Sequence, residues 1–251
     1  MRVIVTRPAA QAGPWVQALG AAGLDAVALP LIGIAPPDDP APVVDAWAHL
    51  GRYGLVMFVS PNAAEHFFAL RPAGAAWPDA VVAASPGPGT TAVLRRLGVP
   101  SVALVEPAAD APQFDSEALW AQLAGRDWSG VGVLVVRGTS GRDWLAARLG
   151  EQGAHVSFVA AYRRAAPELD AEAPRLLDAA LADPPGHLWF FSSSEAVDHL
   201  PALAPDAAWQ HASAVATHPR IAARARALGL GRVIEARPAM LDVVGCIQSL
   251  A

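Results

Sequence analysis

Lysine is absent from this chain, and all 18 basic residues are arginine. That excludes a Schiff-base lysine of the kind pyridoxal chemistry requires, and equally the lysine of a Walker A phosphate loop. Cysteine is nearly absent: Cys246 stands alone, so no internal disulfide and no thiolate metal cluster can form. Charged residues make up only 16% of the 251 positions, against 53% hydrophobic, which excludes a disordered or collagen-like chain and leaves ample material for packed cores. Long hydrophobic runs are also missing. The runs at 27–35 and 131–136 fall far short of the roughly 18 residues that suggest a membrane span. Residues 2–6 are too brief for a signal-peptide core and run straight into Arg7-Pro8. The net charge of −5 offers no basic stripe for phosphate backbones. Together these absences indicate a cytoplasmic protein whose partner is neither nucleic acid nor membrane.

What is present is a regular alternation. Short apolar or β-branched runs, predicted as strands, lie at 2–6, 25–29, 55–60, 80–85, 101–105, 131–137, 155–161, 188–193, 213–217 and 232–236. Amphipathic stretches predicted as helices lie between them, near 9–22, 41–51, 61–70, 88–97, 115–124, 141–152, 170–182, 194–203, 218–228 and 239–250. Strands alternating with helices indicate βαβ units and mainly parallel sheets covered by helices on both faces. Asp115-Ser116 and the run Ser192 to Glu195 carry helix-start signals. Two passages break the alternation: the proline-rich 30–42, and 156–167, which is apolar, turns basic and stops at Pro167. Both read as extended crossings too short to be flexible linkers.

The chain also resembles itself. Leu55 to Leu70 aligns without a gap on Leu188 to Leu203, placing Phe58 on Phe191, Ser60 on Ser193, Ala63 on Ala196 and His66 on His199. Val5-Thr6-Arg7 aligns on Val135-Val136-Arg137, and Leu97-Gly98 on Leu228-Gly229. Ordered blocks at one offset near 130 point to an internal duplication. The fold class expected is therefore α/β: two similar lobes, each a parallel sheet flanked by helices, joined by two extended crossings, with a cleft between them.

In open parallel sheets ligands bind beyond the carboxyl ends of the strands, where helix N-termini present their amides. That rule selects Arg7, Ser60, Asn62 and Thr90 in the first half, and Arg137, Gly138, Arg142, Ser193, Ser194, Glu195, Thr217, His218 and Arg220 in the second. Hydroxyls, amides and arginines suit an anionic ligand rich in acceptor oxygens. The plainer reading of Ser60, Ser193 and Ser194 is that they cap helices. Sharper chemistries are not supported. Gly87-Pro88-Gly89-Thr90 lacks GxGxxG spacing, the histidines form no HxxxH or HExxH pair, and no GxSxG elbow occurs. Asp38-Asp39 reads as solvated surface, Cys246 as core and Tyr53 as packing. Tyr162 differs. It precedes Arg163-Arg164 in the second crossing, where a phenol beside guanidinium groups suits proton donation or hydrogen bonding to a leaving group. The alternative is a half-buried hinge tyrosine.

The segments VIVTRP, LPLIGI, LVMFVSPNAAEHF, GPGTTAVLRRLG, LVVRGTSGRDWLAARLGEQGAHV, VAAYRR, FFSSSEAV and THPRIAARARALG, in this order, resemble the uroporphyrinogen-III synthase family over essentially the whole chain. The resemblance implies that residues 1–35 plus 165–251 form one lobe and 40–160 the other, with 36–39 and 161–164 as the interlobe crossings. It implies conversion of the linear tetrapyrrole hydroxymethylbilane to uroporphyrinogen III, with loss of water and inversion of ring D. No metal or organic cofactor is implied, and the enzyme is expected to act as a monomer. Tyr162 would hydrogen-bond or protonate the departing hydroxyl. Arg7, Ser60, Asn62, Thr90, Arg137, Gly138, Arg142, Ser193, Ser194 and Arg220 would bind substrate. The sequence departs from the family at Ser85-Pro86 and at Thr217-His218-Pro219-Arg220, which leaves the contacts of the second half open. Two other readings compete: a non-catalytic module of the same fold that senses an anion or tetrapyrrole, and a periplasmic-type anion binder, against which the lack of a signal sequence counts.

Overall fold

The computed structural model describes residues 1–167 and 169–250. From the amino terminus come β1 (Arg2–Val5), α1 (Ala9–Ala21), β2 (Ala26–Ala28), β3 (Gly33–Ala35), α2 (Ala41–Ala48), β4 (Leu55–Phe58), α3 (Pro61–Ala69), β5 (Val82–Ala84), α4 (Pro88–Arg96), β6 (Leu104–Val105) and α5 (Ser116–Leu123). There follow β7 (Gly132–Gly138), α6 (Trp144–Glu151), β8 (His155–Ala165), α7 (Ala173–Ala182), β9 (His187–Phe191), α8 (Ser194–Leu203), β10 (Ser213–Ala216), α9 (Pro219–Leu228), β11 (Arg232–Glu235) and α10 (Met240–Gln248). The chain divides into two compact units, one made of Met1–Gly33 with Ala165–Ala251 and the other of Ile34–Arg164.

The first unit holds a five-stranded sheet in the order β11-β10-β9-β1-β2, parallel throughout. The second holds six strands in the order β3-β8-β7-β4-β5-β6, with β8, β7, β4, β5 and β6 running parallel. Apart from the added edge strand β3, the two orders correspond: β2-β1-β9-β10-β11 in one and β8-β7-β4-β5-β6 in the other. Each sheet thus draws a β-α-β piece from one sequence repeat and a β-α-β-α-β piece from the other.

The central strands of both sheets are apolar on successive residues, as burial of two faces demands. In β4, Val56 and Phe58 face a core shared with Trp47 of α2, Phe67 and Phe68 of α3, Trp77 and Leu94. Leu55 and Met57 turn the other way, to Leu119 and Leu123 of α5 and Leu145 and Leu149 of α6. In the first unit Val3, Val5, Leu188, Phe190 and Val215 pack on Trp15 and Leu19 of α1 and on Val243 and Ile247 of α10. Truncating a side chain such as Phe58 to alanine costs about 3–5 kcal/mol. These cores anchor the strand ends described below.

Three local differences from the sequence-based expectation have physical causes. Residues 33–35 form a strand at the edge of the second sheet, an assignment that rests on pairing with β8 and not on periodicity. Residues 101–103 close as a 3-10 turn after Pro100, leaving only Leu104–Val105 to pair. The segment 161–164, expected to be a crossing, is the carboxyl-terminal part of the continuous strand β8 and belongs to the second unit. Among the described residues no helix is long and apolar enough to cross a membrane.

Candidate functional site

In the second unit the strand order places the ends of β8, β7 and β4 side by side. Beyond β4, the Val59 amide donates to the Val136 carbonyl at 3.2 Å, holding the chain against β7. Ser60 then takes an extended conformation as the N-cap of α3, and its Oγ accepts the Ala63 amide at 3.2 Å. Pro61 fits the first helical position, where no amide donor is needed. The cap role and a site role coincide here. Ser60 Oγ also lies 3.3 Å from the Tyr162 hydroxyl. Tyr162 sits on β8, is only 2% exposed, and pairs with Gly138 of β7 across a register irregularity at Arg137/Gly138. The imidazole of His66, on α3, packs on the phenol ring with centroids 5.9 Å apart. Desolvation pushes His66 below the usual histidine value, with Glu65 partly opposing.

Of the two arginines that the sequence places beside the phenol, Arg163 faces elsewhere. A strand sends successive side chains to opposite faces, so Arg163 points away from Tyr162, and its Nε lies 2.9 Å from a carboxylate oxygen of Asp38. The Ser60 hydroxyl and the His66 imidazole contact the phenol. His66 is the residue the site reading missed; the available signal was its alignment on His199.

Other residues selected from the sequence line the same edge. Thr90 is buried in the first turn of α4, its amide donating to the Gly87 carbonyl at 3.1 Å. Asn62 is buried in the first turn of α3. Ser85 bonds the Thr91 hydroxyl at 2.8 Å and the Gly87 carbonyl at 3.1 Å, which accounts for a serine at this fully buried place. Arg137 follows Val136 on β7, forms an ion pair with Asp143 and lies over the Phe158 ring at 4.4 Å. Arg142, exposed in the loop before α6, pairs with Glu117 of α5. Both guanidinium groups already hold a carboxylate.

In the first unit the corresponding edge is different. Arg7 follows β1; its Nη2 donates to Gln11 Oε1 at 2.8 Å, and its Cζ lies 5.2 Å from the Trp15 ring centroid. Among the described residues no carboxylate pairs with it, and its buried Nε has no hydrogen-bond partner. Burial lowers the guanidinium to about 10. Ser193 caps α8, its Oγ accepting the Glu195 amide at 3.3 Å, and Ser194 opens the helix. Thr217, at the end of β10, is buried and donates its amide to the Phe191 carbonyl at 3.1 Å. His218 caps α9 through Nδ1, accepting the Arg220 amide at 3.1 Å, while the Arg220 side chain is exposed. Thus Ser60, Gly138 and Tyr162 are brought together, Arg137 and Arg142 are paired, and Arg7 is left open. Among the described residues no three His, Cys, Asp or Glu side chains are grouped to hold a metal.

In the second unit, hydroxyls and helix N-termini at the strand ends can bind an anion and supply a proton, and in the first unit helix N-termini and Arg7 can bind an anion. Comparison with known proteins gives them a context. Residues 13–244 match a protein-family model described as uroporphyrinogen-III synthase HemD. A triple-mutant uroporphyrinogen III synthase from the extreme thermophile Thermus thermophilus superposes with a TM-score of 0.59 at 17% identity, covering 100% of this chain and 98% of that one. Uroporphyrinogen-III synthetase from Helicobacter pylori superposes with a TM-score of 0.57 at 15% identity, covering 100% of both chains. At such identities these structures speak to the fold, while the family match spans most of the sequence. The chain belongs to the uroporphyrinogen-III synthase family.

Proposed function

We propose that the protein converts hydroxymethylbilane to uroporphyrinogen III, as a monomer and without a metal or organic cofactor. The observation that carries this reading is the family match over residues 13–244. The chemistry follows from the substrate. Departure of the terminal hydroxyl as water leaves an azafulvene cation. Ring D attacks it through its substituted carbon to give a spiro intermediate. That intermediate fragments and recloses with the ring reversed, and the proton lost from ring D restores the pyrrole. A hydroxide leaves poorly, so a hydrogen-bond donor at the departing oxygen lowers the barrier. The Tyr162–Ser60 hydroxyl pair is assigned that task. Attack by the substituted carbon is disfavoured unless the chain is held curled, and positioning can supply much of such a barrier. Arg7 is assigned a substrate carboxylate, gripped by the guanidinium fork. Arg220 and the first-turn groups of Ser60, Asn62, Thr90, Ser193 and Ser194 are assigned others. Arg137 and Arg142, already paired, contribute less.

The test is incubation with hydroxymethylbilane followed by chromatographic separation of the oxidised porphyrin isomers. Type III product well above the spontaneous type I background is expected. A product ratio no different from the uncatalysed one rejects the activity and leaves a non-catalytic anion-sensing module of the same fold.

A further inference from the structure

Tyr162 and Ser60 do not lie on neighbouring strands. Between β8, which carries Tyr162, and β4, which leads to Ser60, runs β7. Adjacent strands are about 4.8 Å apart, so the phenol reaches Ser60 only by lying across β7. The residue it crosses is Gly138, its direct partner in the ladder. A methyl group placed on the Gly138 Cα would stand 3.0 Å from Tyr162 Cζ, 3.1 Å from Cε2 and 3.3 Å from the hydroxyl oxygen. The hydroxyl end of the ring therefore occupies the space a side chain at 138 would take. Gly138 is not among the glycines with positive φ, so its backbone conformation does not explain a glycine here; the space above it does. His66 packs on the same ring, which limits how far the phenol can yield. The register irregularity at Arg137/Gly138 sits at this crossing.

We infer that Gly138 is a positioning residue: its missing side chain is what lets the Tyr162 phenol lie across β7 and meet the Ser60 hydroxyl. This reassigns Gly138 from touching substrate to acting through Tyr162, and it rests on the activity proposed above. Gly138→Ala forces the ring to move by a few tenths of an ångström, and misplacement on that scale is expected to lower kcat by about five- to tenfold with KM little changed. In a Tyr162→Phe background the same substitution still crowds the ring but has no phenol to displace. There it is expected to leave kcat unaltered.

The experiment is a double-mutant cycle of Gly138→Ala and Tyr162→Phe, read as kcat and KM for type III product. It is joined to fluorine NMR of 3-fluorotyrosine-labelled protein. The chain has two tyrosines, and Tyr53→Phe identifies the Tyr162 signal. Support is a loss of kcat in the parent alone, with a shifted Tyr162 signal and a steady Tyr53 signal. An equal loss of kcat in both backgrounds overturns the inference, as does a Tyr162 signal that does not move. If no form of the protein makes type III product, the proposed activity fails, and the fluorine signal alone decides the positioning. Should Gly138→Ala not fold, Gly138→Ala with Tyr162→Leu, which clears the space above the strand, is expected to fold; its failure also overturns the inference.

Discussion

Replacing Arg7 by methionine separates a binding arginine from a structural one. At about 1.36 kcal/mol per pH unit, lowering the guanidinium from its usual range to about 10 by burial means that keeping it charged at neutral pH costs the folded protein about 3 kcal/mol. Its contacts offset part of this. The stacking on Trp15 returns about 1 kcal/mol, and a charged donor to Gln11 returns about 1.5 kcal/mol. The balance is close to zero. Arg7→Met, of similar length and apolar, is therefore expected to change stability by less than about 1 kcal/mol, a shift of at most about 4 °C in thermal midpoint for a chain of this size. Substrate binding responds differently. A guanidinium–carboxylate contact contributes about 1.5–3 kcal/mol, so KM for hydroxymethylbilane should rise by about 10- to 100-fold, with kcat changed much less. Steady-state kinetics and differential scanning calorimetry of the same preparation measure both. A loss of stability clearly above about 1 kcal/mol with an unchanged KM would mean that the contacts of Arg7 outweigh its desolvation cost, which would refute the reasoning and make Arg7 a structural group. Arg7→Lys, which keeps the charge but not the stacked, forked shape, should fall between the two.

Tyr162→Phe should cut turnover at least tenfold while the fold survives, since the hydroxyl gives up one 3.3 Å contact worth about 1 kcal/mol; near-normal kcat would dismiss Tyr162 from the chemistry. Arg137→Gln should raise KM by less than about threefold, because Asp143 already neutralises this group and a partly exposed pair contributes about 0–1 kcal/mol. A larger rise than that of Arg7→Met would reverse the ranking of the two arginines. His66 is held below its unfolded value by desolvation. The folded state therefore binds fewer protons than the unfolded state, so stability is fully present above the unfolded value of about 6.5 and is lost as pH falls from there through the lowered folded value. His66→Gln should flatten the fall in thermal midpoint between about pH 7 and 5. An unaltered pH profile would count against the desolvated placement.

Strands β1, β4, β7 and β9 were legible because each is an apolar run bounded by turn or cap residues, and two-sided burial leaves few other uses for such a run. The caps at Asp115 and Ser193 were legible for the same local reason: a short oxygen acceptor stands at the start of an amphipathic stretch, and the structure shows both accepting helix amides. β3 was not. Gly33, Ile34 and Ala35 lie between prolines, and only pairing with β8 makes them a strand. The candidate site divides along the same line. Ser60 could be picked out from its position after a strand and from its repeat partner Ser193. Its contact with Tyr162 spans 102 residues of sequence and depends on the order β8-β7-β4, which no local pattern encodes. Arg142 looked like an open donor because Glu117, 25 residues away, becomes its partner only when α5 and α6 pack together. Composition could count the arginines, but it could not say which were already neutralised.

The duplication makes this last point sharper. A repeated sequence supplies both units with the same strand order and the same serine caps, so the shared features report the scaffold. Chemistry has to be sought where the repeats differ. The repeat aligns Arg7 on Arg137, yet Asp143 neutralises Arg137 and no carboxylate among the described residues does the same for Arg7. It aligns His199 on His66, yet the His199 Nδ1 meets the Leu31 carbonyl whereas the His66 ring packs on a phenol. The first unit has no tyrosine at all, since the two in the chain are Tyr53 and Tyr162. The hydroxyl pair and the open guanidinium therefore belong to opposite units. The two groups also sit differently: Tyr162 is part of the second unit's buried core, packed in the same cluster as Phe58 and Val136, whereas Arg7 is only partly buried. Under the proposed function the edge of the first unit grips charge and that of the second handles a proton, so Arg7→Met should act on KM and Tyr162→Phe on kcat; the same parameter moving in both would refute that division.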